Sequence, residues 1–186
     1  MRSFWENWDA MHALLTVTSV VPFVLFGSAG LWHFGGKQKS GTNLVSLASI
    51  VGFLAMVFAL WFQESLYAWS ILGVAFQMMS VFLFGWCVGT SGKRNLSLAF
   101  SPNCSPRLMT EGPYSVVRHP FYTSYMIYWI GNAIIATSIF TIGAAVILGI
   151  LYLYTSRRED EFLAERFAGE FSQWRANTGA FFPKLH

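Results

Sequence analysis

Four residues at the head of a long apolar run could do chemistry together: Arg118-His119-Pro120 and, two positions on, Tyr122. Gly112-Pro113-Tyr114 precedes them. Proline is favoured at the first position of a helix, so Pro120 marks a helix start, and it biases His119 toward extended backbone. The free N–H groups of such a start favour an anion, and Arg118 adds a full positive charge. The ring faces of Tyr114 and Tyr122 can hold a cation. Beyond the uncharged stretch 121–154 come Arg157, Arg158, Glu159, Asp160 and Glu161 in succession. Anion donors, aromatic faces and a carboxylate brought together would suit a zwitterionic ligand that carries a cationic centre.

Each group has a plainer reading when taken alone. Arg118, Arg157 and Arg158 could be charges that anchor a membrane helix on its cytoplasmic side. His119 could be a helix cap, and the tyrosines an interfacial belt. Glu159, Leu163, Phe167, Glu170 and Trp174 fall on one side at helical spacing. The Leu163/Phe167/Trp174 stripe reads as packing at a membrane surface. Glu159 fits that reading least, because an unpaired carboxylate on an apolar stripe is costly. What favours a shared site is that both clusters flank one apolar segment, 121–154. As a single helix that segment would be about 51 Å long, too long for a bilayer core. It is expected to fold back as a hairpin turning near Ala136-Thr137-Ser138, with two short limbs that tilt or sit in thinned bilayer.

The elements that must position these clusters are membrane helices. Hydrophobic residues make up 54 % of the 186 and charged residues 11 %, against about 25 % charged in a soluble domain. The class is all-α integral membrane, one domain by length. Residues 13–32, 44–62 and 66–88 read as three spans, with Gln63-Glu64-Ser65 as a tight turn between the second and third. The hairpin makes about five spans in all. Residues 13–88 would form a three-helix anchor. Residues 89–186 would form the catalytic loop, the hairpin and a C-terminal amphipathic helix over 156–174. Five spans place eleven of the twelve Lys and Arg on one side, which the positive-inside rule makes cytoplasmic. The net charge of +3 therefore reflects loop sorting, and no nucleic-acid partner is expected. Cys87 and Cys104 form no Cys-x-x-Cys or His/Cys ligand spacing, so neither a metal site nor a disulfide scaffold is expected. The first ten residues lack the basic start and cleavage site of a signal peptide. Gly85 and Gly89 make a lone Gly-x-x-x-Gly, weak grounds for dimerisation.

Gly112-Pro113-Tyr114, Arg118-His119-Pro120 and Tyr122 resemble the signature of the isoprenylcysteine carboxyl methyltransferase and phospholipid methyltransferase superfamily of integral membrane enzymes. The resemblance continues with Glu159-Asp160, Leu163, Phe167, Phe171, Trp174 and Pro183, and covers roughly residues 106–183. The chain departs from the family pattern in having Asp160 as the second acid, and Phe171 and Trp174 where tyrosine is frequent. Ala99 lies near the place where some members use a glutamine.

The resemblance implies S-adenosylmethionine as methyl donor, bound by Pro106, Arg107, Leu108, Met109, Tyr114, Arg118, His119, Pro120, Tyr122 and Glu159 at the cytoplasmic face. A lipid or other lipophilic acceptor would enter from the bilayer, its nucleophile a carboxylate in the first instance, an amine or thiol otherwise. Excluding water favours attack of an anion on a sulfonium methyl, and positioning supplies much of the rate. The roles expected are Glu159 on the cationic end of the cofactor, Arg157 or Arg158 on a carboxylate of cofactor or acceptor, and His119 in orientation. Two rival readings stand beside this one. Sterol reductases of the membrane also carry an Arg-His-Pro-x-Tyr-like element and bind NADPH. A non-catalytic subunit or carrier would need ionisable residues along a path through the spans, where only Gln77 and Asn132 stand out.

Overall fold

The computed structural model describes residues 10–34, 40–63, 68–92 and 108–184. These residues form five α-helices: α1 (Ala10–Phe34), α2 (Ser40–Phe62), α3 (Ser70–Gly92), α4 (Pro120–Ala136) and α5 (Ile139–Asn177). A short 3-10 turn, Gly112–Ser115, precedes α4. Four helices, α1, α2, α3 and α5, are long and apolar enough to cross a membrane; the protein is a multi-pass membrane protein. At 1.5 Å per residue, the 25 and 23 residues of α1 to α3 match or exceed a hydrocarbon core of about 30 Å. α4, with 17 residues, is about 25 Å long. Large apolar side chains such as Ile71, Phe82 and Ile139 face outward, as they do when lipid replaces water as the solvent.

α3 packs most extensively on α4, and α2 on α5. The α3–α4 contact is close because two glycines face each other. A Cβ on Gly131 would lie 2.8 Å from the Gly73 carbonyl oxygen, and one on Gly73 would lie 2.7 Å from the Gly131 oxygen. Small residues of this kind let helix backbones approach in lipid. Polar side chains add to the contact. Gln77 of α3 donates to Ser19 Oγ (2.8 Å) and to Asn132 Oδ1 (2.9 Å), joining α1, α3 and α4. The Tyr128 hydroxyl donates to the Ser19 carbonyl at 2.7 Å. Gln77 and Asn132, the two polar residues that stand out in the spans, are thus tied to one another and to α1. Phe26, Phe84, Tyr128, Trp129, Leu148 and Tyr152 fill the core beside them.

α4 and α5 form the expected hairpin. Thr137 takes a left-handed conformation (φ 43°) and its N–H bonds Ala133, ending α4; Ser138 caps α5 by accepting from the Phe140 N–H. Tyr122 and Tyr125 near the start of α4 both meet Tyr152, late in the apolar part of α5, so the two limbs run antiparallel.

Several element boundaries differ from expectation. α1 and α2 each begin a few residues earlier than the apolar runs 13–32 and 44–62 suggest. α3 starts at Ser70 rather than 66 and runs on to Gly92; of the turn at 63–65, only Gln63 lies within the described residues. The amphipathic segment 156–174 does not start a separate helix at 156: α5 runs on through it as far as Ala168, where a kink joins it to a last stretch ending at Asn177. No proline or glycine interrupts 150–168, and Thr155 and Ser156 satisfy their hydroxyls on the carbonyls of Leu151 and Leu153. The helix departs from regular geometry only at Ala168 (φ 23°, ψ −93°). This continuity fixes Glu159 and Asp160 rigidly, about two turns beyond Tyr152.

Candidate active site

Pro120 occupies the first turn of α4, and His119 is the residue before the helix, with φ −121° and no side-chain capping bond. The imidazole is therefore not spent on a cap and reaches across to α5. Its Nε2 lies 2.9 Å from Asp160 Oδ1, and its Nδ1 lies 3.5 Å from Glu159 Oε2. One turn into α4, the Tyr122 hydroxyl donates to Glu159 Oε1 at 2.7 Å. Arg118 donates to Asp160 Oδ2 through Nε (3.3 Å) and Nη2 (3.2 Å), and to the Thr178 carbonyl through Nη1 (2.6 Å). Two clusters some forty positions apart in sequence thus become one network of two cationic and two acidic side chains and a phenol.

Burial within this network is graded. The Arg118 and His119 side chains are 8 % and 5 % exposed, Asp160 16 % and Glu159 25 %. Arg118 is spent on Asp160 and Thr178, so its charge is not available to a ligand. Glu159 forms the open end. Aromatic rings surround it: Tyr122 stacks on Tyr152 with centroids 5.6 Å apart, and on His119 at 5.9 Å. Burial first, and then its ionisable neighbours Cys87, Glu159 and Tyr125, push the Tyr114 hydroxyl far up, so it stays protonated. The Trp174 indole N–H donates to the Tyr114 carbonyl at 2.9 Å. Gly112 adopts φ 59°, and a Cβ there would lie 2.6 Å from Thr90 Oγ1. Only glycine seats the Gly112–Ser115 turn that closely on the end of α3.

Both imidazole nitrogens of His119 face carboxylates, and only the imidazolium can donate to both. Burial by itself would lower its pKa, but the hydrogen bonds and charges of Asp160 and Glu159 outweigh burial and raise it above the usual histidine value. A group whose folded pKa is raised contributes stability fully below its unfolded pKa of about 6.5, and loses it as pH rises through the folded value. Wild-type Tm is therefore expected to fall between pH 6 and pH 9 by more than that of His119→Gln, which has no such proton to lose. Parallel pH–Tm curves in detergent would remove the imidazolium from the site.

The structure brings Arg118, His119, Pro120, Tyr122 and Glu159 together, with Tyr114 alongside. Leu108 and Met109 are half-buried, and Leu108 lines an open cleft of about 560 Å³ with Thr110, Glu170, Gln173 and Trp174. Pro106 and Arg107 lie outside the described residues. Arg157 and Arg158 are exposed and stand outside the buried network. Glu159 and Asp160 turn toward His119 and Tyr122, whereas the Arg158 guanidinium lies 5.8 Å from the Tyr154 ring centre. Asp160 is the side chain of this network that sequence reasoning left out of the site, although it stands in the acidic pair. Its signal was the pairing itself, since a buried Arg118 needs a carboxylate. Tyr125 and Tyr152 were also missed; they sit one turn from Tyr122 and two turns before Glu159.

Residues 47–170 match the family model described as phospholipid methyltransferase. Over 119 residues the chain is 32 % identical to the nickel-cobalt-cadmium resistance protein NccN of Alcaligenes xylosoxydans xylosoxydans. Over 118 residues it is 31 % identical to the cobalt-zinc-cadmium resistance protein CzcN of Cupriavidus metallidurans. Each alignment takes in 63 % of this chain and 55 % or 54 % of the relative, so the chain spans about half the length of these curated relatives.

Proposed function

This chain belongs to the phospholipid methyltransferase family, and from that premise we propose that it transfers a methyl group from S-adenosylmethionine to a lipid or lipophilic acceptor at the cytoplasmic face of its membrane. The observation that carries the reading is the Tyr122–Glu159 contact of 2.7 Å. It closes the helical hairpin over one carboxylate that is open to a ligand, while Arg118 already neutralises the other acid.

The residues present fit such a cofactor. A molecule with a sulfonium and an ammonium group needs a reachable carboxylate and π-faces, and Glu159, Tyr122 and Tyr114 offer them. Cation–π contacts in a desolvated setting contribute up to about 2 kcal/mol. When bound, the cofactor supplies an electrophilic methyl that a carboxylate, amine or thiol can attack in line. The protein's part is orientation. His119 holds Glu159 from one side and Tyr122 holds it from the other, and the aromatic walls exclude water. No side chain is required to move a proton if the acceptor is a carboxylate, the acceptor we place first. An amine or thiol acceptor would have to shed one. Leu108 and Met109, both half-buried, are assigned to the cofactor from the loop side; Pro106 and Arg107 are assigned with them on the family resemblance alone. The cytoplasmic placement rests on taking α4 as a fifth crossing beside the four helices that are long and apolar enough to span; five crossings would gather eleven of the twelve Lys and Arg on the side of the site.

Arg157 and Arg158 fit the acceptor better than the cofactor, because both stand exposed just past the apolar part of α5. Arg158→Ala is expected to raise the KM for a lipid acceptor several-fold and leave S-adenosylmethionine affinity unchanged; a change confined to cofactor affinity would reverse this assignment.

The experiment is to incubate the purified protein in nanodiscs with methyl-labelled S-adenosylmethionine and membrane lipid extract, and to identify the labelled product. Label in a lipid-phase product, with release of S-adenosylhomocysteine, is the expected result. Saturable binding of NADPH with no binding of S-adenosylmethionine would overturn the reading in favour of a reductase. The metal resistance in the relatives' names is a property of those proteins and plays no part in it.

A further inference from the structure

After α5 the chain turns back beneath the site, past the end of the family match at residue 170. Four consecutive carbonyls there accept from the stretch that carries the arginine and histidine. Thr178 O accepts from Arg118 Nη1 (2.6 Å), and Gly179 O from the Arg118 N–H (2.8 Å). Ala180 O accepts from the His119 N–H (3.0 Å), and Phe181 O from Thr123 Oγ1 (3.3 Å). An isolated parallel bridge pairs Val117 with Gly179. Thr178 Oγ1 donates to the Trp174 carbonyl at 2.7 Å, fixing this strap to the last turns of α5. The Phe181 ring lies against the imidazole of His119, centroids 5.7 Å apart.

The strap depends on one residue. A Cβ on Gly179 would overlap the carbonyl oxygen of Phe182 and lie 3.0 Å from its carbonyl carbon. Both are backbone atoms, so no flexible side chain can yield. Any substitution there must displace the Phe182 carbonyl and so disturb the turn.

We propose that Gly179 is a positioning residue of the site: by allowing the tight turn 179–182, it sets the backbone of Arg118 and His119 and thereby the seat of the imidazole between Glu159 and Asp160. Its effect on turnover rests on the methyl-transfer reading; its effect on His119 does not. The groups facing His119 are Glu159 and Asp160 from α5, Tyr122 from α4, Phe181 from the strap and the neighbouring Arg118. The two carboxylates hold the imidazolium, so a displaced ring loses part of that support.

The test uses the full chain in nanodiscs with 15N-labelled histidine, the His119 signal being assigned by its loss in His119→Gln. Gly179→Ala is expected to lower the His119 titration midpoint by at least about half a pH unit. It should also speed amide exchange at Arg118 and His119 about tenfold or more, and weaken S-adenosylmethionine binding. Thr178→Val removes the side-chain tie of the strap to the Trp174 carbonyl without crowding the turn and should move the midpoint in the same direction by less. It decides the matter if Gly179→Ala does not fold. An unchanged His119 midpoint in the variants that fold overturns the proposal even where Tm falls, since a merely structural turn would lower Tm alone. If the wild type neither binds S-adenosylmethionine nor transfers methyl, the proposed function fails, and the His119 midpoint still decides the role of Gly179.

Discussion

Glu159→Gln is expected to weaken S-adenosylmethionine binding by about 10- to 100-fold and to lower kcat/KM at least as much, with little change in Tm. The substitution keeps shape and keeps an oxygen to accept from the Tyr122 hydroxyl, so the hairpin contact survives. What it removes is the one acidic group of the network that no arginine neutralises. A charge-assisted hydrogen bond contributes about 1.5–3 kcal/mol, and each 1.4 kcal/mol is tenfold; the partial exposure of Glu159, 25 % of its side chain, keeps the estimate below the top of that range. Exposure is also why stability should hold, because the amide can be hydrated where the carboxylate was. Isothermal titration and labelled-methyl transfer would measure the two effects. Wild-type affinity and turnover in Glu159→Gln would take the cationic end of the cofactor away from this residue, and the proposed chemistry would lose its anchor.

The hairpin was legible because its signals are local and strong. The uncharged run 121–154 is too long for one crossing, and Pro120 marks a start that the structure places in the first turn of α4. The juxtaposition of His119 and Tyr122 with Glu159 followed from that geometry. What was not legible depends on rotation and register. Nothing in the string Arg157-Arg158-Glu159-Asp160 says which two residues face α4. The helix rotates by about 100° at each step, and its phase depends on contacts outside that string, such as Tyr152 stacking on Tyr122. The break expected before residue 156 rested on the change from apolar to charged composition. Composition ends a membrane crossing, but it does not end a helix when no residue there disfavours helical geometry. The strap at 178–181 was invisible for another reason. Its bonds use backbone carbonyls, which every sequence has, and only Gly179 carries a side-chain signal.

Asp160→Ala should have the opposite profile to Glu159→Gln, a large loss of stability preceding any question of catalysis. Arg118 is 9 % exposed, and without Asp160 its guanidinium keeps only the Thr178 carbonyl among the partners described above. Removing one member of a buried ion pair costs about 3–5 kcal/mol, because the other charge is left uncompensated; some solvent access at Asp160 places the expectation toward the lower figure. The folded yield in detergent and the Tm should both fall clearly, and His119 loses its closer carboxylate as well. The pair Arg118→Met with Asp160→Leu removes both charges together and fills the space with apolar atoms. It should recover most of the lost Tm, because replacing a whole buried pair is often neutral or stabilising. It should not recover methyl transfer, since His119 is then held by Glu159 alone. A double-mutant cycle read by thermal unfolding checks this: the pair must be more stable than Asp160→Ala. If Asp160→Ala unfolds at the wild-type temperature, or the pair is no better than the single variant, then Arg118 is not held by Asp160 in the working protein. The graded burial that leaves Glu159 open to the ligand would then need another cause.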